Sequence, residues 1–166
     1  MAPSRLLRIH GPHGIVERGI AAVTARVGAG EARTADAASI TDLLRPDVVC
    51  AFPDLGFGVM LEIMVRERLG SVPVVNEGGQ PIGMVTKLDV VEQLALPPDQ
   101  LKPLVSDIMM PFAITLGDDA TVADAATLMA CEDMHHVLVV SNRQLIGVVS
   151  TMDVTRWLAA SVAREK

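Results

Sequence analysis

Apolar residues along this chain fall into short β-branched runs and stripes at helical spacing. Val137-Leu138-Val139-Val140 and Leu145-Ile146-Gly147-Val148-Val149 are two such runs, joined by the polar stretch Ser141-Asn142-Arg143-Gln144. That pattern predicts a buried hairpin. Ser150-Thr151-Met152-Asp153 follows at once, and then Val154, Trp157 and Leu158 share one face of a helix. A strand thus feeds straight into a helix, with a hydroxyl at the corner and a carboxylate three residues on. Such a corner has two readings. Ser-x-x-Asp before an apolar run is a capping box with Asp in place of the usual Glu. It is also a helix start, whose N–H groups favour anions.

The whole unit occurs twice. Shifted by 65 positions, Ile40-Thr41-Asp42-Leu43-Leu44-Arg45-Pro46 lies on Val105-Ser106-Asp107-Ile108-Met109-Met110-Pro111, and Asp54, Met64 and Glu67 lie on Asp119, Met129 and Glu132. The first hairpin turn is one residue longer, so the shift then becomes 64. Ile82, Gly83, Val85, Asp89, Val90 and Leu94 match Ile146, Gly147, Val149, Asp153, Val154 and Leu158, and Thr86 matches Ser150. The chain is a tandem duplication, and each copy reads strand, helix, strand, strand, helix.

In the first helix of each copy, Phe57, Met60, Leu61 and Met64 align with Val122, Ala125, Ala126 and Met129, a core stripe. Thr121-x-x-Asp124 caps the second of these helices, while Gly56 and Gly58 give the first a weaker start. Val59, Met60, Leu61, Ile63, Met64 and Val65 spread round most of the first helix, so it is expected to be buried on two sides, either as a central core helix or with one side against a second subunit. Met60 and Leu61 are the positions at which a charge should loosen such a dimer.

The expected organisation is an extension over 1–37, repeat one over 38–95, a Pro-rich connector over 96–104 and repeat two over 105–163. In the extension Val16, Ile20, Val23 and Val27 predict a short amphipathic helix, ended by Gly28-Ala29-Gly30. His10-x-x-His13 lacks a third ligand and reads as a loop rather than a metal pair. Five Arg against three acidic residues make 1–36 basic within a chain of net charge −6.

Composition narrows the functions. Half of the 166 residues are hydrophobic, yet there are only three Phe, one Trp and no Tyr. Mean hydropathy is +0.39, and no apolar run reaches membrane-spanning length, which suggests apolar surface shared between subunits. Negative charge and few aromatics argue against nucleic acid. Two Cys make neither a disulfide framework nor a metal cluster. No secretory leader is read at the N-terminus, so a cytoplasmic location is expected, with no membrane partner.

The duplicated pattern Asp-h-h-x-x-Pro, x-x-Asp, amphipathic helix, h-h-Val-Val, turn, h-Gly-h-Val-[Thr/Ser]-x-x-Asp-h resembles a tandem pair of cystathionine-β-synthase (CBS) domains, a Bateman module. The resemblance covers roughly residues 38–162. It implies an α/β fold (α+β type) of two β-α-β-β-α repeats about a pseudo-twofold axis, with adenosyl nucleotides (AMP, ADP, ATP, NAD or S-adenosylmethionine) in clefts between the copies. Carried over by position, Asp89 and Asp153 would hold ribose hydroxyls, and Thr86 and Ser150 would donate to phosphate. The adenine walls would be Ile114, Thr115 and Val137 for the Asp89 cleft. For the Asp153 cleft they would be Val49, Cys50, Val72 and Pro73. His135, His136 and Lys87 are the available phosphate partners.

Leu138 stands where the family usually has Pro, matched by Pro73 in the first copy, and Gly70-Ser71 replaces a frequent basic pair. So little positive charge favours a monophosphate or an uncharged adenosyl ligand over a triphosphate, and one strong site over two equal ones. No catalytic motif is present. The expectation is therefore a regulatory, non-enzymatic module that needs no cofactor, takes an adenine nucleotide as regulatory ligand, forms a homodimer and signals to a regulated protein. The rival is a structural dimerisation module whose Ser/Thr-x-x-Asp corners only cap helices.

Overall fold

A computed structural model describes residues 6–10, 37–45, 47–101 and 103–164. The order β-α-β-β-α appears twice, as expected. The first copy contains β2 (Asp47–Ala51), α1 (Phe57–Arg66), β3 (Ser71–Val75), β4 (Pro81–Thr86) and α2 (Lys87–Leu94). The second contains β5 (Thr115–Gly117), α3 (Val122–Cys131), β6 (His136–Ser141), β7 (Gln144–Ser150) and α4 (Thr151–Arg164). A strand that the apolar pattern did not announce, β1 (Leu6–His10), makes the first sheet four-stranded in the order β1-β2-β3-β4, and the second sheet runs β5-β6-β7. Leu-Leu-Arg-Ile-His is five residues long, too short for its apolar pattern alone to tell a strand from a helical turn. The helix expected over Val16–Val27, and His13 with it, lie outside the described residues.

The second hairpin is tighter than Ser141–Gln144 suggested. Asn142 and Arg143 alone make the turn, with φ of 49° and 67°, the left-handed pair of a two-residue hairpin. In the first hairpin Asn76 Oδ1 accepts from the amides of Gly78 and Gln80, both at 3.0 Å.

The chain gathers into two compact units, the first built mainly from 49–113 and the second from 114–142, 146–164 and the segment before β2. These units cut across the sequence repeats, because each takes its opening segment from the other repeat. In the first unit Val105 is fully buried in a core with Phe57, Met60, Met64, Val72, Val74, Val85 and Val90. The Val105 amide donates to the Leu55 carbonyl at 2.9 Å and the Met110 amide to the Met84 carbonyl at 2.9 Å. In the second unit Ile40 and Leu43 join Val122, Ala125, Met129, Val137, Val139, Val149 and Val154. There the Ile40 amide donates to Ala120 and the Val122 amide to Ala38, both at 2.9 Å.

This exchange explains the glycine in each copy's h-Gly-h strand. A Cβ on Gly83 would run into the Met110 carbonyl, and one on Gly147 into the Leu44 side chain. Only a residue without a side chain lets the opening segment lie that close.

Helix α1 corrects the expected dimer face. Met60 is fully buried and Met64 nearly so, Leu61 packs against the same core, and the exposed apolar residues are Val59 and Val65. A charge at Met60 would therefore be buried in the core, and it would unfold the unit rather than loosen a contact between subunits. Neither α1 nor α3 ends on glycine. Arg68 (φ 55°) and Asp133 (φ 50°) take the left-handed position after the helix, and the Leu69 and Met134 amides close back on the Met64 and Met129 carbonyls at 2.9 Å. Among the described residues no helix is long and apolar enough to cross a membrane.

Candidate functional site

Each repeat ends with a strand turning directly into its last helix, and the corner is fixed by one carboxylate oxygen. At the start of α2, Asp89 Oδ2 accepts from the Thr86 amide and the Thr86 hydroxyl, both at 2.6 Å, and the Asp89 amide donates to Thr86 Oγ1 at 3.4 Å. At the start of α4, Asp153 Oδ2 accepts from the Ser150 amide at 3.0 Å and its hydroxyl at 2.5 Å, with the Asp153 amide donating to Ser150 Oγ at 3.3 Å. Both are capping boxes, one of the two forms that the Ser/Thr-x-x-Asp spacing allows. Thr121 and Asp124 build the same device at the start of α3, with Asp124 Oδ2 at 2.8 Å from the Thr121 amide and 2.7 Å from its hydroxyl. Backbone and side-chain hydrogen bonds from Thr121 hold the exposed Asp124 carboxyl below its ordinary value.

Capping uses Oδ2 and leaves Oδ1, and here the two repeats diverge. Among the described residues nothing pairs with Asp89 Oδ1. Asp153 Oδ1 receives the Arg45 guanidinium at 2.9 Å and that of Arg156, one turn along α4, at 3.4 Å. Burial pushes the Asp153 carboxyl up, but hydrogen bonds from the Ser150 side chain, Arg45 and the Ser150 backbone, with the Arg45 charge, outweigh it and leave it below its ordinary value. Arg45 belongs to the exchanged opening segment. The apolar pattern passed over it, although it is the one charged position where Leu-Leu-Arg-Pro lies on Ile-Met-Met-Pro.

The first amide of each helix is also held. The Lys87 amide donates to the Gly70 carbonyl at 3.1 Å and the Thr151 amide to the His135 carbonyl at 3.0 Å. Fewer amides are therefore available for an anion than the bare helix-start reading implies. These bonds keep His135, an exposed residue, close to the Ser150 corner, and place Gly70 in the equivalent position by the Thr86 corner.

Thr86, Lys87, Asp89, Val49, Cys50, Val72 and Pro73 lie in the first unit, while Ile114, Thr115, His135, His136, Val137, Ser150 and Asp153 lie in the second. Val72 and Val137 are core residues, 1% and 0% exposed. Cys50 is fully buried, and burial pushes its thiol up to about 12, so it is no nucleophile. Val49 and Pro73 are buried on β2 and β3. Thr115 is exposed and pairs with Leu138 across β5 and β6, and the Ile114 carbonyl accepts from the Leu138 amide at 3.2 Å. His136 is half-buried at the start of β6. Among the described residues no group of three or more His, Cys, Asp or Glu could hold a metal.

A family model described as the CBS domain matches residues 40–96 and again 105–160. An uncharacterized protein of Methanopyrus kandleri is 31% identical over 135 residues, covering 76% of this chain and 67% of that protein. The γ-3 subunit of the 5′-AMP-activated protein kinase of Bos taurus is 28% identical over 111 residues, covering 62% of this chain and 22% of the subunit. The solved CBS domain pair of protein MJ0100, in complex with 5′-methylthioadenosine and S-adenosylmethionine, superposes with a TM-score of 0.67 at 25% identity, covering 74% of this chain and 96% of that one. Three other relatives bear enzyme names, and the chain spans 22–24% of their lengths. It likewise spans only 32% of an uncharacterized Methanocaldococcus jannaschii protein.

Proposed function

Because the chain belongs to the CBS-domain family and carries two copies of its repeat, we propose that it is a cytoplasmic regulatory module that binds an adenosyl nucleotide and signals occupancy to a partner protein. The observation that carries this reading is the division of labour at Asp89. One carboxylate oxygen holds the helix start, and the other, on a half-buried side chain, has no partner among the described residues. An ionised carboxylate so placed is a ready acceptor for ribose hydroxyls. The ligands of the MJ0100 domain pair, both adenosyl compounds, support the same class.

In this reading Asp89 and Thr86 hold the ribose and phosphate of one ligand, and Asp153 and Ser150 those of another. Ile114, Thr115, Val137, Val49, Cys50, Val72 and Pro73 are the adenine-wall candidates, the buried ones acting through their backbone groups. Lys87 serves the first phosphate position, and His135 and His136 the second. So few cations favour a monophosphate or an uncharged adenosyl group over a triphosphate. The module does no chemistry itself. It forms a homodimer through helices that expose Leu88, Val91 and Leu94, apolar residues at three-residue spacing along α2. The same stripe and the capping boxes favour the second reading, a dimerisation module with no nucleotide.

Thermal-shift measurements with AMP, ATP, NAD and S-adenosylmethionine separate the two. A ligand at a hundred times its Kd stabilises the native state by about 2.7 kcal/mol, a melting-temperature rise on the order of 5–10 °C. No shift with any of the four defeats the nucleotide reading and leaves the dimerisation module.

A further inference from the structure

Asp153 has no idle oxygen. Oδ2 is committed to the Ser150 amide and hydroxyl, and Oδ1 faces two guanidinium groups, Arg45 at 2.9 Å and Arg156 at 3.4 Å. The Asp153 side chain is 12% exposed and the Arg45 side chain 60%. The cation therefore reaches in from solvent to a largely enclosed carboxylate. Arg156 is bound to its position by the helix that carries it, whereas Arg45 arrives from 108 positions away on the exchanged opening segment. The equivalent residue of the other repeat is Met110, which has no charge to offer Asp89.

We propose that Arg45 is an internal competitor for the ligand-binding oxygen of Asp153, so that the second corner accepts an adenosyl ligand only by displacing this guanidinium, while the first corner is open. The proposal rests on the nucleotide reading above and adds to it a specificity-determining residue. Ribose hydroxyls seeking Oδ1 must replace a charge-assisted hydrogen bond that the protein already makes. The pair is also partly solvent-exposed, so it is weak enough to be displaced and it is screened by salt. A neutral nucleoside should then bind the second corner more tightly as ionic strength rises, opposite to an anionic ligand held by cations.

The test is calorimetric titration with adenosine, which carries no phosphate, in a chain whose first corner is disabled by Asp89→Ala. Adding Arg45→Met, the residue of the other repeat, should tighten adenosine binding two- to fivefold, the range expected for an exposed pair. Binding that is absent without this change and appears with it is the same result in stronger form. Arg45→Gln should act in the same direction and guards against a local effect of the methionine. With Arg45 intact, raising KCl from 50 to 500 mM should strengthen adenosine binding, and with Arg45→Met that dependence should shrink to what the longer Arg156 contact sustains. Adenosine affinity unchanged or lowered by both substitutions overturns the competitor. So does a loss confined to AMP, which would make Arg45 a phosphate ligand. If the unaltered chain binds no adenosyl compound, the nucleotide reading falls as well. Binding by the unaltered chain without an Arg45 effect sinks the competitor alone.

Discussion

In the first repeat Thr86 and Asp89 close the corner between β4 and α2, and in the second Ser150 and Asp153 close the corner between β7 and α4. The capping geometry of the two is nearly the same, down to the use of Oδ2. Their surroundings are not, since Asp153 Oδ1 is held by Arg45 and Asp89 Oδ1 has no such cation among the described residues. The likeness shows that the Ser/Thr-x-x-Asp motif is first of all a helix start, a point that the identical box at Thr121 and Asp124 makes independently. The difference shows that a second function can use only what capping leaves over. Duplication preserved the structural oxygen and let the environment of the other one diverge.

The largest effect should come from removing the two carboxylates in turn. Asp89→Ala should weaken adenosyl binding by roughly tenfold to a hundredfold, the loss of charge-assisted bonds of about 1.5–3 kcal/mol. Asp153→Ala should weaken it far less, since that oxygen is already occupied. Each change should also lower stability by about 1 kcal/mol through the lost cap. Titration and melting curves on both variants decide it, and equal losses of affinity would erase the distinction between the corners.

A second contrast concerns the glycines beneath the exchanged segments. At Gly83 an added methyl meets the Met110 carbonyl, which is backbone, whereas at Gly147 it meets the end of the Leu44 side chain. Gly83→Ala should cost about 1–3 kcal/mol and Gly147→Ala less, because a leucine rotamer yields more readily than a strand-like bridge between Met84 and Met110. Urea denaturation of both variants measures the difference, and a larger loss at Gly147 would contradict it.

Where the repeats are alike, they should respond alike. Arg68→Gly and Asp133→Gly each place glycine at a left-handed position, and each should stabilise by roughly 0.5–1 kcal/mol, offset to some extent by greater freedom of the unfolded chain. Melting temperatures would show two similar small rises.

The smallest effect is the pH response of Asp153. Its folded carboxyl lies below the ordinary 3.8, so the fold binds fewer protons there than the unfolded chain does. The stabilisation is complete above that value and is lost as pH falls through the lower, folded one. The stability gap between the natural chain and Asp153→Asn should therefore shrink below about pH 4, by roughly a few tenths of a kcal/mol for so exposed a partner as Arg45. A gap that widens on acidification would be the wrong sign.

Much of this molecule was legible in its sequence. The duplication, the β-α-β-β-α order, the hairpins and the hydroxyl–carboxylate corners all rest on neighbours within a few positions, where period, turn chemistry and capping geometry act directly. The roles of Gly83 and Gly147 were visible as a pattern without a reason. What only tertiary structure decided was which unit receives each opening segment. Ile40 and Val105 are equivalent apolar residues that either core would accept on hydrophobicity alone, so their pattern cannot say where they pack. The same exchange brings Arg45 to Asp153 across 108 positions. An ion pair of that span leaves no period or spacing in the sequence, because it depends on where the folded chain returns rather than on the residues between.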